Sequence, residues 1–278
     1  MRPLPQRNSA LAFVLGIGVA GTAAWWRAEQ NLVVSDKNDP APILGAPLLA
    51  SIPDFKLVGA AGPAPTISAP GSGAAEAYPF ALEEFSSSTV LITSTSPNEG
   101  KSATALNLSI AAAQDGRKGL LVDADERARG LTFLSGLLDS FGVSDLNSPV
   151  DVDRAIHQWD MADGSRLEFV PAGSGVVRHT ATFFRSEGFR AALNVLLNSR
   201  EIVIVDAPLV MAAAETTDIG AAVDGIVRTF TEGTGLRDLE EARHRIMMSG
   251  TPIIGYLFKR AVPKSGANGY GYGYGSAR

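Results

Sequence analysis

The stretch Thr89-Val90-Leu91-Ile92-Thr93-Ser94-Thr95-Ser96-Pro97-Asn98-Glu99-Gly100-Lys101-Ser102-Ala103-Thr104-Ala105-Leu106-Asn107 decides how this chain is read. Its first six residues are a β-branched, apolar run, its middle a Ser/Thr/Pro/Asn loop, and its end an Ala/Leu-rich helical pattern opened by Gly-Lys-Ser. That order is what a phosphate cradle looks like. Backbone N–H groups of such a loop curl around phosphate oxygens while the positive end of the following helix points at them. Lys101 adds a full charge, and Ser102 offers a hydroxyl to Mg²⁺. The expected nucleotide-binding residues are therefore Pro97, Asn98, Glu99, Gly100, Lys101, Ser102 and Ala103. The usual pattern has glycine five residues before Gly100, where this chain has Thr95.

Outward from the loop, short apolar runs alternate with helical patterns. The loop helix runs from Lys101 to about Gln114, and Asp115-Gly116 stops it. Lys118 to Asp123 reads as a buried strand that delivers Asp123-Ala124-Asp125-Glu126-Arg127. Leu167 to Gly173 is a strand leaving into a turn, and Phe183 to Leu197 has helical spacing. Glu201 to Asp206 is a third apolar strand capped by a carboxylate, followed by Ala207-Pro208. Gly225 to Phe230 and Pro252 to Phe258 read as two more strands flanking a helix over about Leu236 to Met248. Such alternation means a mainly parallel α/β sheet covered by helices on both faces. Ligands of these sheets bind beyond the strand carboxyl ends, where the loop and both Asp-terminated strands arrive. Phosphoryl transfer needs charge on the phosphates neutralised, a metal with ligands, and a group to take the nucleophile's proton. Lys101 suits the first task, Ser102 and Asp206 the metal shell, and Asp123 with Asp125 the remaining carboxylates.

The bulk properties narrow the rest. The chain of 278 residues, 45% hydrophobic, can build one α/β domain with appendages. A net charge of -5 gives no global attraction to nucleic acid, so none is expected as a partner. With no cysteine, disulfides, thiolate metal sites and cysteine nucleophiles are excluded. His157, His179 and His244 lie far apart and lack metal-ligand spacing.

No residue between Arg7 and Arg27 is charged, and residues 10–27 end in Trp25-Trp26 before Arg27. A span of about 20 apolar residues with interfacial tryptophans reads as a membrane helix. The competing reading is a signal peptide, because Arg2 and Arg7 precede the apolar core and Thr22-Ala23-Ala24 resembles a cleavage site. The organisation expected is a short tail at 1–9, a membrane helix at 10–27, a Pro/Ala/Gly-rich linker at 28–75, a nucleotide-binding domain at 76–262 and a flexible tail at 263–278. Within the linker, Ile43 to Pro53 is more apolar and suited to packing on the domain or the membrane surface.

Ser94 to Ser102, Leu120 to Arg127 and Ile202 to Pro208 together resemble, in order and spacing, the Walker A, A′ and B motifs of the bacterial tyrosine kinases of polysaccharide polymerisation and export. Ile43 to Pro53 and Val223 to Thr229 are similar to further segments of that family. The resemblance implies a deviant-Walker P-loop ATPase using ATP and Mg²⁺ that phosphorylates tyrosines in its own tail. By motif, Lys101 and Ser102 bind phosphate and Mg²⁺, Asp206 is the Walker B metal residue, and Asp123 and Asp125 serve catalysis and metal binding. The tail offers Tyr270, Tyr272 and Tyr274 in a Gly-Tyr repeat. The implied setting is the inner membrane with the P-loop domain in the cytoplasm. The implied partners are a membrane co-polymerase subunit carrying the extracytoplasmic region, further copies of the chain and a tyrosine phosphatase. Two departures stand out: Pro79 and Leu82 occupy the positions of two arginines that follow a Glu in the family, and Gly255 to Arg260 lacks the family's Asn near the adenine. A nucleotide-binding regulatory subunit without kinase activity, and a partitioning-type ATPase, are the alternative readings.

Overall fold

The computed structural model describes residues 17–22, 32–85, 88–175 and 180–261. Among the described residues eight strands form one sheet: β1 (Leu48–Pro53), β2 (Thr89–Ser94), β3 (Gly119–Asp123), β4 (His157–Asp160), β5 (Arg166–Val170), β6 (Ile202–Asp206), β7 (Gly225–Thr231) and β8 (Ile253–Ala261). Their spatial order is β1-β8-β7-β2-β6-β3-β5-β4. Every pairing is parallel except β4 with β5. The strand that carries the phosphate loop is thus central, with the Asp206 strand beside it and the Asp123 strand next. Four longer helices cover the sheet: α1 (Gly73–Glu83), α2 (Lys101–Gln114), α3 (Glu187–Leu197) and α4 (Leu236–Met247).

The near-continuous apolar strands are buried on both faces, as a parallel sheet under two helical layers requires. Along β2, Val90 and Ile92 join the core beneath α1 and α2, while Leu91 joins the opposite core beneath α3 and α4. On β6, Ile202 and Ile204 take the first side and Val203 and Val205 the second. This period of two places both cores on one sheet. Ser72 caps α1 by accepting from the Ala75 N–H at 3.2 Å, and Ser186 caps α3 by accepting from the Phe189 N–H at 3.3 Å. No side chain caps α2, which begins after Gly100 at φ 82. Its first N–H groups are left for a ligand.

Within residues 28–75, expected to be a linker, the more apolar run from Ile43 to Pro53 packs on the domain. β1 pairs in parallel with β8, and Leu49 and Ile52 are buried in the main core. Each fully buried Leu or Ile contributes about 1.5–3 kcal/mol, and the β8 backbone supplies partners for the added strand. Val34 and Leu44 form a third cluster with Phe230, Tyr256 and Phe258, so ordering begins well before residue 76. The helix called α1 likewise starts at Gly73. The sequence also missed β4, whose Trp159 ring packs 5.2 Å from that of Phe169.

The expected membrane helix at 10–27 lies largely outside the described residues, of which 17–22 are helical. Among the described residues no helix is long and apolar enough to cross a membrane. His179 and the tail with Tyr270, Tyr272 and Tyr274 also lie outside the described residues.

Candidate nucleotide and metal site

Three strand ends converge at the carboxyl edge. Asp123 and Asp206 are register partners across β3 and β6. The Ala124 N–H donates to the Asp206 carbonyl at 2.8 Å, and the Ala207 N–H to the Ile92 carbonyl at 3.0 Å, so the three ends are laced together. Thr93 Oγ1 donates to the Pro208 carbonyl at 2.7 Å and fixes the turn that follows Asp206.

Lys101 sits at the centre. Its Nζ lies 2.5 Å from Asp125 Oδ2, 3.6 Å from Asp206 Oδ1 and 3.3 Å from Ser102 Oγ. Burial works to lower the Lys101 pKa, but Asp206 and Asp125 outweigh it and the amine stays charged, with its pKa raised. Asp206 is fully buried, and neither carboxylate oxygen has a hydrogen-bond partner. Desolvation lifts its pKa to about 7, opposed by Lys101. Asp123 is differently placed. Its Oδ2 accepts from the Thr132 N–H at 2.9 Å and Thr132 Oγ1 at 2.7 Å, and its Oδ1 from the Asp125 N–H at 3.2 Å. Burial still raises its pKa. Asp123 therefore shapes the Asp125 turn, Asp125 anchors Lys101, and Asp206 presents the open oxygens.

A cleft of about 400 Å³ opens above these groups. Pro97, Asn98, Gly100, Lys101, Ser102 and Ala103 form one wall, with Asp125, Arg127 and Ala128 across from them and Pro208, Leu209 and Ala212 as an apolar side. Asn98 takes φ 63, the left-handed region that asparagine tolerates, which lets the loop curl. Of the seven loop residues expected to bind nucleotide, Glu99 is the exception in placement. Its side chain is buried behind the loop, accepting from the Thr95 N–H at 2.8 Å, the Ser96 N–H at 2.9 Å and Thr234 Oγ1 at 2.5 Å. Arg228, wholly buried, donates to Thr95 Oγ1 and attracts Glu99. This gives Thr95, in the place of a glycine, two uses: its N–H ties to Glu99 within the loop, and its hydroxyl accepts from Arg228 and latches the loop to β7. Thr132, Thr234 and Arg228 were not singled out in the sequence; an arginine inside the otherwise apolar β7 was the one available signal. Arg127 pairs with buried Glu215 at 2.9 Å on the cleft's rim. Among the described residues no cluster of three or more His, Cys, Asp or Glu forms a ready-made metal cage.

No family model matches the chain. In sequence it is 30% identical over 195 residues to a protein of the Klebsiella pneumoniae cps region named as a tyrosine-protein kinase. That alignment covers 69% of this chain and 26% of the relative. It is 29% identical over 175 residues to the tyrosine-protein kinase CpsD of Streptococcus agalactiae, covering 61% of this chain and 73% of that one. The chain is thus similar in sequence to bacterial proteins named as tyrosine-protein kinases. The fold agrees, since the kinase domain of the Escherichia coli tyrosine kinase ETK superposes with a TM-score of 0.70 at 18% identity, over 87% of this chain and all of that domain. The chain thus shares the α/β fold of that kinase domain. It spans about a quarter of the Klebsiella tyrosine-kinase relative's length.

Proposed function

We propose that the chain is an ATP-dependent tyrosine autokinase that acts in exopolysaccharide or capsule assembly and modifies Tyr270, Tyr272 and Tyr274. The single observation that carries this reading is Asp206: two buried carboxylate oxygens without a donor, beside Lys101 and the uncapped start of α2. Orphaned buried oxygens are costly unless a cation or water fills the space they face. The donor set is hard and oxygen-rich, as Mg²⁺ prefers. The residues therefore fit Mg²⁺ at Asp206 and Ser102, with Asp123 behind, and phosphates along the loop from Pro97 to Ala103. Bound Mg²⁺ supplies charge neutralisation at the phosphate oxygens.

The chain's own groups perform the remaining tasks. Backbone N–H groups at the start of α2 and the Lys101 ammonium stabilise charge on the transferring phosphoryl group. Lys101 moves from Asp125 to reach it, which frees the Asp125 carboxylate to accept the tyrosine proton. Glu99, Thr234 and Arg228 keep the loop in its curled shape, so little reorganisation remains at the moment of transfer. The apolar side at Pro208, Leu209 and Ala212 excludes water. Residues 10–27 tether the domain to the inner membrane, cytoplasmic side, and a co-polymerase subunit, other copies of the chain and a phosphatase complete the system.

The test is incubation of the purified full-length chain with ATP and Mg²⁺ beside Lys101→Ala, followed by mass spectrometry of the tail. Phosphate on the three tyrosines in the wild type only is expected; an unmodified wild-type tail, with and without a membrane partner, defeats the kinase reading. A regulatory subunit that binds nucleotide without transferring phosphate is the second reading. Leu82, where the family has an assembly arginine, is buried in the core, and Pro79 holds the other position. Normal polymer output with all three tyrosines changed to Phe favours that second reading.

A further inference from the structure

Two buried cations stand behind the phosphate loop, and among the described residues only one has a counter-charge. Arg228 faces Glu99. Lys259, on β8, is equally enclosed but has no carboxylate partner among the described residues. Its Nζ donates to Tyr78 Oη of α1 and lies 4.5 Å from the centre of the Phe55 ring and 5.0 Å from that of Tyr78. The groups packed on it are these two rings, the backbone of Gly100, and its neighbour Arg260, which is also positive. Burial raises the Tyr78 pKa, so that hydroxyl stays neutral. Burial and then Arg260 lower the Lys259 pKa to about 7.

The lysine stem presses on the loop itself. A Cβ built on Gly100 would stand 3.0 Å from Lys259 Cε, and Gly100 at φ 82 is the turn from which α2 starts. The amine's chain thus lies one backbone thickness behind the surface on which phosphates would rest. A purely structural filler at this position would be Met or Leu, since an unpaired buried ammonium is costly. Anions arriving across a thin, dry layer of backbone reverse that cost, because opposite charge favours the protonated form.

We propose that Lys259 is a positioning residue of the phosphate loop, a group behind Gly100 that takes a proton from solvent as nucleotide phosphates fill the cradle and then holds them through the loop. The proposal rests on the nucleotide-binding reading above. The only covalent change is amine to ammonium. Phosphate binding and proton uptake are linked, so affinity is highest at low pH, where the ammonium is already formed, and falls as pH rises past neutrality. Tyr78, as the amine's acceptor, carries the change to α1.

The experiment is calorimetric titration of the full-length chain with ATP and Mg²⁺, in pairs of buffers with different ionisation enthalpies, from about pH 6 to about pH 8.5. Wild type and Lys259→Met are compared, so that protons from Asp206 or Asp123 cancel. Just above neutrality the wild type takes up about half a proton more than Lys259→Met, and near pH 6 it binds about tenfold more tightly. The two affinities converge at the alkaline end. Tyr78→Phe, which keeps the ring and the ammonium's surroundings, moves the wild-type fall in affinity to lower pH and provides the readout should Lys259→Met fold poorly. Equal affinities and equal proton counts in wild type and Lys259→Met, or an unmoved profile in Tyr78→Phe, overturn the role of Lys259 while the nucleotide site stands. No ATP binding by the wild type at any pH overturns both.

Discussion

Replacing Asp206 by Asn removes a buried charge whose two oxygens have no donor, and metal-free protein should reveal the cost of that charge. An acid whose folded pKa is raised costs nothing below its ordinary value, and the penalty grows as pH climbs to the folded pKa. Asp206 moves from 3.8 to about 7, so the penalty is absent near pH 4 and complete above neutrality. At about 1.4 kcal/mol per pH unit, the full penalty is about 4 kcal/mol, and Asn brings an unsatisfied amide that returns about 1–3 kcal/mol of it. Asp206→Asn is therefore expected to be about 1–3 kcal/mol more stable than wild type at pH 8 in a chelator. This advantage should shrink steadily toward pH 4 and change sign on the way. Thermal unfolding across that pH range reads it, at about 2–4 °C per kcal/mol for a domain of this size. Mg²⁺ with ATP should reverse the order at pH 8, because only the wild type can hold the metal. A stability difference that does not vary with pH would refute the claim that burial of the Asp206 charge costs more than Lys101 returns.

Other perturbations test the remaining architecture. Lys101→Ala should abolish phosphotyrosine formation and weaken ATP binding by at least tenfold, measured by calorimetry, since it removes the only ammonium facing the cleft from the loop. Gly255→Ala would place a Cβ 2.4 Å from Leu49 Cγ, so β1 must shift off β8; a loss of about 1–3 kcal/mol in urea unfolding is expected. A chain shortened to begin at residue 54 loses buried Leu49 and Ile52 and uncovers β8, and should lose more than about 3 kcal/mol or aggregate on purification. Asp224 accepts from Thr89 Oγ1 at 2.7 Å, the Thr89 N–H at 2.9 Å and Ser88 Oγ at 2.9 Å, and these bonds, Thr89 first, hold its pKa down. Asp224→Ala should cost about 1 kcal/mol near neutral pH, an exposed group's share; the difference disappears as pH falls through the wild-type carboxyl's depressed pKa.

Much of the site was legible in the chain because its signals are local. A β-branched run, a loop and Gly-Lys-Ser lie within twenty residues or so, and each Asp sits at the end of its own apolar strand. Segment order then placed those ends on one edge, since parallel strands joined by helices all point the same way. Asn98, expected from its place in the loop to line the nucleotide site, does so at φ 63 in the left-handed region that asparagine tolerates. The chain alone also called for a covered parallel sheet, which the alternating burial of Val90, Leu91 and Ile92 satisfies.

What only the tertiary structure decided depends on contacts between residues remote in sequence. Glu99 reads as one more loop residue until Thr234, on the far side of β7, donates to it. Lys259 reads as a surface lysine until β8 places it under Gly100 and against Tyr78. The segment before residue 76 looks like a tether by composition, yet β8 had an open edge that its short apolar run could pair. Local sequence determines which strands and which phosphate loop can form. Which polar side chains turn inward behind that loop, and which apolar run completes the sheet, is settled by desolvation and pairing across the assembled fold.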